Sequence, residues 1–113
     1  MHEFSLALNI ADIALENAVK ANATKVYRIE IDVGKLSGVQ VSALEFALKM
    51  SIKDTILEGT EIKINEIAGK ARCTKCQTIF DINEIYYACP NCSTFENELL
   101  QGQELRVKSI EIE

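Results

Sequence analysis

The sequence predicts an α+β chain in which two helices cover a three-stranded sheet and a four-cysteine zinc-ribbon module is inserted before the last strand. Three observations carry this. Apolar residues recur at helical spacing in two N-terminal segments. They alternate with polar residues in three others. Four cysteines, Cys73, Cys76, Cys89 and Cys92, gather between the second and third strand-like segments. A chain of 113 residues holds one domain, or one domain with a small module. The expected division is residues 1–69 plus 102–113 against residues 70–101.

Residues 3–21 read as a helix: Ser5, Asn9, Asp12, Glu16 and Lys20 form one polar stripe. Phe4, Leu6, Leu8, Ile10, Ile13, Leu15, Ala18 and Val19 predict a wide buried face. Residues 25–33 read as a strand, with Tyr27, Ile29, Ile31 and Val33 on one face and Arg28, Glu30 and Asp32 on the other. Gly34 to Gly38 is a loop whose two terminal glycines read as turn residues. A second helix is expected from Ser42 to about Asp54. Ser42 and Glu45 match a capping box, Val41 and Phe46 a hydrophobic staple, and Leu44, Leu48 and Ile52 a core stripe. Glu58-Gly59 reads as a turn, and the next strand points Ile62 and Ile64 inward. The strand-helix-strand unit suits a parallel crossover. The last strand, Glu104 to Ile112, slips phase: Leu105 and Val107 share one face, Ile110 and Ile112 the other. A bulge near Ser109 accounts for that, and so does burial of both faces.

With 48% hydrophobic and 26% charged residues, wholesale disorder is excluded. No apolar run approaches the ~20 residues of a membrane helix. The start, Met1-His2-Glu3-Phe4, lacks the basic region of a signal peptide, so a cytoplasmic protein with no membrane partner is expected. Twelve basic residues against seventeen acidic ones give a charge of −5, a poor basis for nucleic-acid binding.

Two C-x-x-C knuckles, Cys73-Thr74-Lys75-Cys76 and Cys89-Pro90-Asn91-Cys92, are separated by twelve residues. Each knuckle lets two sulfurs point at one ion, and two knuckles make the closed tetrahedron of structural zinc. Ile79, Phe80, Ile82 and Tyr87 are expected to form a small hydrophobic cap. A module of about thirty residues is below the ~40 that fold without a staple or metal, so zinc is expected to supply on the order of 10 kcal/mol of its folding energy. Iron in a rubredoxin-like centre is the competing occupant, because all-thiolate sites take either metal. Gln77 and Ser93 stand where knuckles often carry glycine, which predicts local backbone strain. A closed four-thiolate site has no open coordination position, and no nucleophile–base pair stands out, so the chain does not read as an enzyme. With zinc bound, the charge moves from −5 to about −7.

His2 is the single histidine. A solvated terminal side chain explains it without function. The α-amine of Met1, the amide and imidazole nitrogens of His2 and the amide of Glu3 nevertheless form a four-nitrogen set suited to planar Ni(II) or Cu(II). Glu3 also complements a helix dipole as an ordinary first-turn acid.

The start Met1-His2-Glu3-Phe4-Ser5, the segment Val33-Gly34-Lys35-Leu36-Ser37-Gly38-Val39, the stretch Ala43-Leu44-Glu45-Phe46-Ala47 and the two knuckles together resemble the hydrogenase nickel-incorporation proteins of the HypA/HybF family, over essentially the whole chain. The resemblance implies a metallochaperone that carries nickel(II) as cargo for maturation of NiFe-hydrogenase. It implies nickel at Met1, His2 and Glu3, with His2 essential, in a nickel-binding α/β domain. It implies structural zinc(II) at Cys73, Cys76, Cys89 and Cys92. The implied partners are a HypB-type nickel-binding GTPase and the hydrogenase large-subunit precursor, with urease served by some members. Gln40 stands where some members carry an acid near nickel. The alternative on residues alone is a non-catalytic zinc-ribbon adaptor or regulator that leaves His2 idle.

Overall fold

A computed structural model describes residues 3–84 and 87–113. The chain runs α1 (Glu3–Lys20), β1 (Val26–Gly34), α2 (Val41–Ser51), β2 (Glu61–Ile67), β3 (Gly69–Cys73), β4 (Ile79–Ile82), β5 (Asn97–Gln101) and β6 (Leu105–Ile112). Two three-stranded sheets form, ordered β2-β1-β6 and β4-β3-β5. In the first, β1 pairs parallel with β2, as a strand-helix-strand crossover requires, and antiparallel with β6. The second sheet is wholly antiparallel and is inserted between β2 and β6. Among the described residues no helix is long and apolar enough to cross a membrane.

Both helices share one core with the first sheet: Ile29, Ile31 and Val33 of β1 are buried with Leu44 and Leu48 of α2. The buried face of α1 is narrower than its sequence suggests. It consists of Ala7, Ile10, Ala11, Ala14 and Ala18, while Phe4, Leu8, Ile13 and Val19 stay exposed. Alanines spaced by three and four residues let the helix sit close to its neighbours at no side-chain entropy cost.

Two bulges interrupt the β1–β6 ladder. Tyr27 is an extra residue of β1 and is exposed rather than inward. Lys108 is the extra residue of β6, between the pairs Ile31–Val107 and Glu30–Ser109. The phase slip of the last strand is therefore a bulge beside Ser109. It keeps Val107 and Ile110 both on the core side.

The start of α2 departs from the expected capping box. Its N-cap is Gln40, whose side chain makes no cap bond, so Ser42 already lies inside the helix. Glu45 pairs instead with Lys49 one turn on, at 3.1 Å, and Phe46 is exposed, which leaves no staple. The carboxylate comes from α1: Glu3 Oε2 accepts the Gln40 N–H at 3.2 Å. The helix ends at Ser51 rather than near Asp54, because Asp54 takes a left-handed φ of 62°.

The face of the sheet turned away from the helices is a ladder of charges. Asp32 is buried there and accepts from Asn65 Nδ2 at 3.1 Å and Arg106 Nε at 3.0 Å. Asn65 Nδ2 also donates to Glu30, which Lys108 neutralises at 3.3 Å. The Asn65 hydrogen bonds, followed by the cations, hold both carboxyls below their ordinary values.

Three glycines allow the two sheets to join. A Cβ on Gly34 would lie 2.0 Å from the Gly102 carbonyl oxygen, so Gly34 is a close backbone crossing rather than a turn residue. Gly102, at φ 124°, packs against Gly69, where an added Cβ would meet the Gly69 Cα at 2.8 Å. Gly38, at φ 81° in open space, is the turn residue expected. Just past the crossing, Lys35 N–H donates to Ile67 O and Leu36 N–H to Gly102 O. The Leu36 side chain packs with Ala71 and Ile82 in the core of the second sheet.

Gly34→Ala is expected to destabilise the protein by about 3 kcal/mol or more, since backbone blocks the new methyl. Gly38→Ala should cost only about 1 kcal/mol, the left-handed penalty less an entropy gain. Urea unfolding of both variants checks the contrast. Asp32→Asn should lower stability at neutral pH. The native Asp32 contribution is present above its ordinary value of 3.8 and is lost as pH falls through the lower folded value. The gap between variant and native midpoints should therefore close below about pH 3.8.

Candidate metal centre

The two knuckles fold by the same local rules. Cys73 N–H donates to Thr78 O and Gln77 N–H to Cys73 O, each at 2.9 Å. In the second knuckle Cys89 N–H donates to Thr94 O and Ser93 N–H to Cys89 O, each at 2.8 Å. One amide in each turn points at a sulfur: Cys76 N–H toward Cys73 Sγ at 3.5 Å and Asn91 N–H toward Cys89 Sγ at 3.4 Å. Gln77 and Ser93 close the turns at φ 65° and 62°, the strained positions that the missing glycines predict.

β3 ends in Cys73, and its pairing with β4 and β5 brings the two knuckles together. All four sulfurs lie within 4.8 Å of one another. Cys73 and Cys92 Sγ lie 3.4 Å apart and Cys76 and Cys89 Sγ 3.6 Å apart. A zinc ion with four bonds of about 2.3 Å needs sulfur–sulfur edges of about 3.8 Å. Four soft donors at that spacing fit a tetrahedral ion. Cys73 and Cys89 are buried while Cys92 is exposed, so the cluster has one open side for metal entry.

The electrostatics are those of a cluster built for a cation. Hydrogen bonds from the Thr78 hydroxyl, which lies 3.1 Å from Cys76 Sγ, then from Asn91 and the Thr78 backbone, hold the Cys76 thiol down to about 5. The Thr94 backbone draws Cys92 down, but its cysteine neighbours and burial outweigh it and push Cys92 up to about 12. Thiolates this close repel, and a bound cation would relieve that repulsion.

The hydrophobic support differs from expectation at one residue. Phe80 and Tyr87 pack edge to face at 5.7 Å, with Ile82 buried beside them, while Ile79 is exposed. Leu36 and Leu99 take its place. Sequence reasoning also missed Thr78 and Thr94. Their signal was present: both knuckles read C-x-x-C-x-T. Asn97 carried no such signal, yet its Nδ2 donates to Tyr87 O at 3.1 Å and Thr94 O at 3.3 Å, bracing the second knuckle.

Of the three expected nickel residues the structure describes Glu3. Met1 and His2 lie outside the described residues. Glu3 opens α1, with its carboxylate on the amide at the α2 start. Gln40 therefore contributes its backbone to holding Glu3 rather than a carboxylate to a metal.

Ser93→Gly should raise the stability of the metal-loaded protein by about 0.5–1 kcal/mol, because glycine removes the left-handed strain and keeps both turn hydrogen bonds. Thermal melts with saturating zinc check this.

Residues 1–112 match the family model described as hydrogenase/urease nickel incorporation, metallochaperone, hypA. A hydrogenase maturation factor HypA from Parabacteroides distasonis is 42% identical over 99% of this chain and 97% of its own length. That of Chlorobaculum parvum is 41% identical over the whole of both. The solution structure of the Ni metallochaperone HypA from Helicobacter pylori shares the fold, with a TM-score of 0.68, 24% identity and coverage of 99% of this chain and 97% of that one. The chain, with its paired C-x-x-C-x-T knuckles and helix-sheet frame, belongs to the HypA family of hydrogenase/urease nickel-incorporation proteins.

Proposed function

We propose that this protein is a nickel metallochaperone that binds Ni(II) through Met1, His2 and Glu3 and delivers it for maturation of NiFe-hydrogenase. The observation that carries the reading is the full-length family match, which begins at residue 1 and so includes the Met1-His2-Glu3 start. Zinc(II) occupies the Cys73, Cys76, Cys89 and Cys92 cluster as a structural ion, and residues 70–101 form the zinc-ribbon domain around it. Zinc supplies charge neutralisation and rigidity there, with no open coordination position for chemistry.

Transfer, not turnover, sets the design. A ligand set at the first residues of a chain is open to a partner, so nickel can pass through shared-ligand intermediates. Glu3 acts as a positioning residue: its carboxylate on the Gln40 amide ties the start of α1 to the start of α2. Leu36, four residues before Gln40, reaches into the core of the cysteine-bearing sheet. The segment 36–40 thus gives a short covalent path between the nickel end and the zinc ribbon. The partners in this reading are a HypB-type nickel-binding GTPase and the hydrogenase large-subunit precursor.

Calorimetry on zinc-loaded protein with a native N-terminus should give one nickel per chain. His2→Ala, and separately one added N-terminal residue, should each abolish that binding while leaving zinc content unchanged. Binding unchanged in both variants would overturn the nickel site and favour a zinc-ribbon adaptor.

A further inference from the structure

We propose that β6 is a self-complementary docking edge, through which two copies of this chain pair antiparallel and join their helix-covered sheets into one six-stranded sheet. The inference is independent of the nickel reading. β6 is the last strand of its sheet, and among the described residues no strand pairs with its outer edge. An unpaired edge carries a row of backbone donors and acceptors ready for another strand. Beside it, α1 and β6 border an open groove of about 370 Å³, lined among others by Ile13, Asn17, Val107, Ile110 and Ile112. Leu105 and Ile112, at the two ends of the strand, are 36% and 40% exposed.

The sequence of β6 identifies the occupant. Leu105-Arg106-Val107-Lys108-Ser109-Ile110-Glu111-Ile112 is complementary to itself when a second copy runs antiparallel, centred between Lys108 and Ser109. In that register Leu105 faces Ile112 of the other copy, Val107 faces Ile110, and Arg106 faces Glu111. Each pair occurs twice, as a two-fold axis requires. The side-chain faces agree as well. Leu105, Val107, Ile110 and Ile112 stand opposite Val33, Ile31, Ile29 and Val26 of β1, all core residues, so the apolar pairs extend the covered face. Arg106 and Glu111 stand opposite Asp32 and Arg28 on the charged face. Arg106 already pairs with Asp32 at 3.0 Å and Glu111 with Arg28 at 3.5 Å. Dimerisation would join these into the alternating series Asp32, Arg106, Glu111, Arg28 across the axis.

The bulge selects this register. Bulges usually protect an edge by spoiling its pairing with a regular strand. Here the extra residue, Lys108, lies at the centre of the palindrome, so bulge meets bulge only in the centred register. A shift of two residues sets a bulge against regular strand, and a shift of one sets apolar faces against charged ones. Each Lys108 is neutralised within its own chain by Glu30 at 3.3 Å, which limits repulsion near the axis.

A single eight-residue edge is a small interface, so the association is weak and mass must be followed over concentration. Light scattering on the full metal-loaded chain, up to about 1 mM, should show mass rising from 12.6 kDa toward twice that value. Arg106→Glu alone and Glu111→Arg alone should each remain at 12.6 kDa, because each sets like charges together. An equimolar mixture of the two should recover the dimer, since every facing pair is then opposite in charge. Circular dichroism checks that the variants fold. Hydrogen exchange on the unaltered protein needs no variant: amides of Leu105–Ile112 should gain protection as concentration rises. A mass fixed at 12.6 kDa throughout would overturn the proposal. So would a dimer indifferent to both charge changes, a mixture that stays monomeric, or concentration-dependent protection elsewhere. Protection of β6 only on adding the hydrogenase precursor would overturn it in favour of a partner's strand.

Discussion

The backbone crossing of Gly34 with Gly102 and Gly69 is the constraint on which the arrangement of this molecule depends. Here β1 leaves the helix-covered sheet, β2 hands over to β3, and β5 returns to β6. Three chain segments can meet this closely only where no side chain intervenes: even one methyl would sit 2.0 Å from a carbonyl oxygen. The contact lets Lys35 hydrogen-bond to the end of β2, and Gly34 and Leu36 to the β5–β6 connection, at 2.7 to 2.9 Å. A cysteine-bearing sheet on a loose tether would bury no Leu36. With the crossing in place, its small core gains an apolar residue from the other sheet.

The same loop carries consequences toward the other end. It runs from the crossing to Gln40, whose amide receives the Glu3 carboxylate. A capping box normally supplies both its groups from within one helix. In this chain the acid comes from α1, so the cap of α2 also fixes where the first helix begins. The cap of α2 and the start of α1 are thereby joined in one interaction. The molecule is elongated, 55 × 24 × 16 Å, and this continuous path is what relates its ends.

The four-cysteine cluster rests on a different physical basis. Its sulfurs are held by turns repeated twice, with strain at Gln77 and Ser93 tolerated because the surrounding amides and threonines determine each turn. Hydrogen bonds hold Cys76 down to about 5, while its cysteine neighbours and burial push Cys92 up to about 12. In the first sheet, charge is balanced between side chains. Asp32 and Glu30 share one Asn65 amide and are each answered by a cation from β6. That leaves the β6 edge charged on one face and apolar on the other.

The sequence alone determined what depends on local periodicity and local chemistry. It set both helices, the alternation of β1, the inserted module and the two knuckles, with their strain at Gln77 and Ser93. These are properties of neighbours in the chain, so spacing exposes them. It also narrowed the slip in β6 to a bulge or double burial. Tertiary structure decided the rest. Which apolar residues of α1 are covered depends on how closely alanine lets its neighbours approach, and so Phe4, Leu8, Ile13 and Val19 are left outside. The capping-box pattern at Ser42 and Glu45 lost to a carboxylate 37 positions from the amide it caps. Gly34 looks like a turn glycine until Gly102 is brought against it. Contacts between residues far apart in sequence have no period to reveal them, because they arise only when separate segments compete for the same space and the same hydrogen-bonding groups.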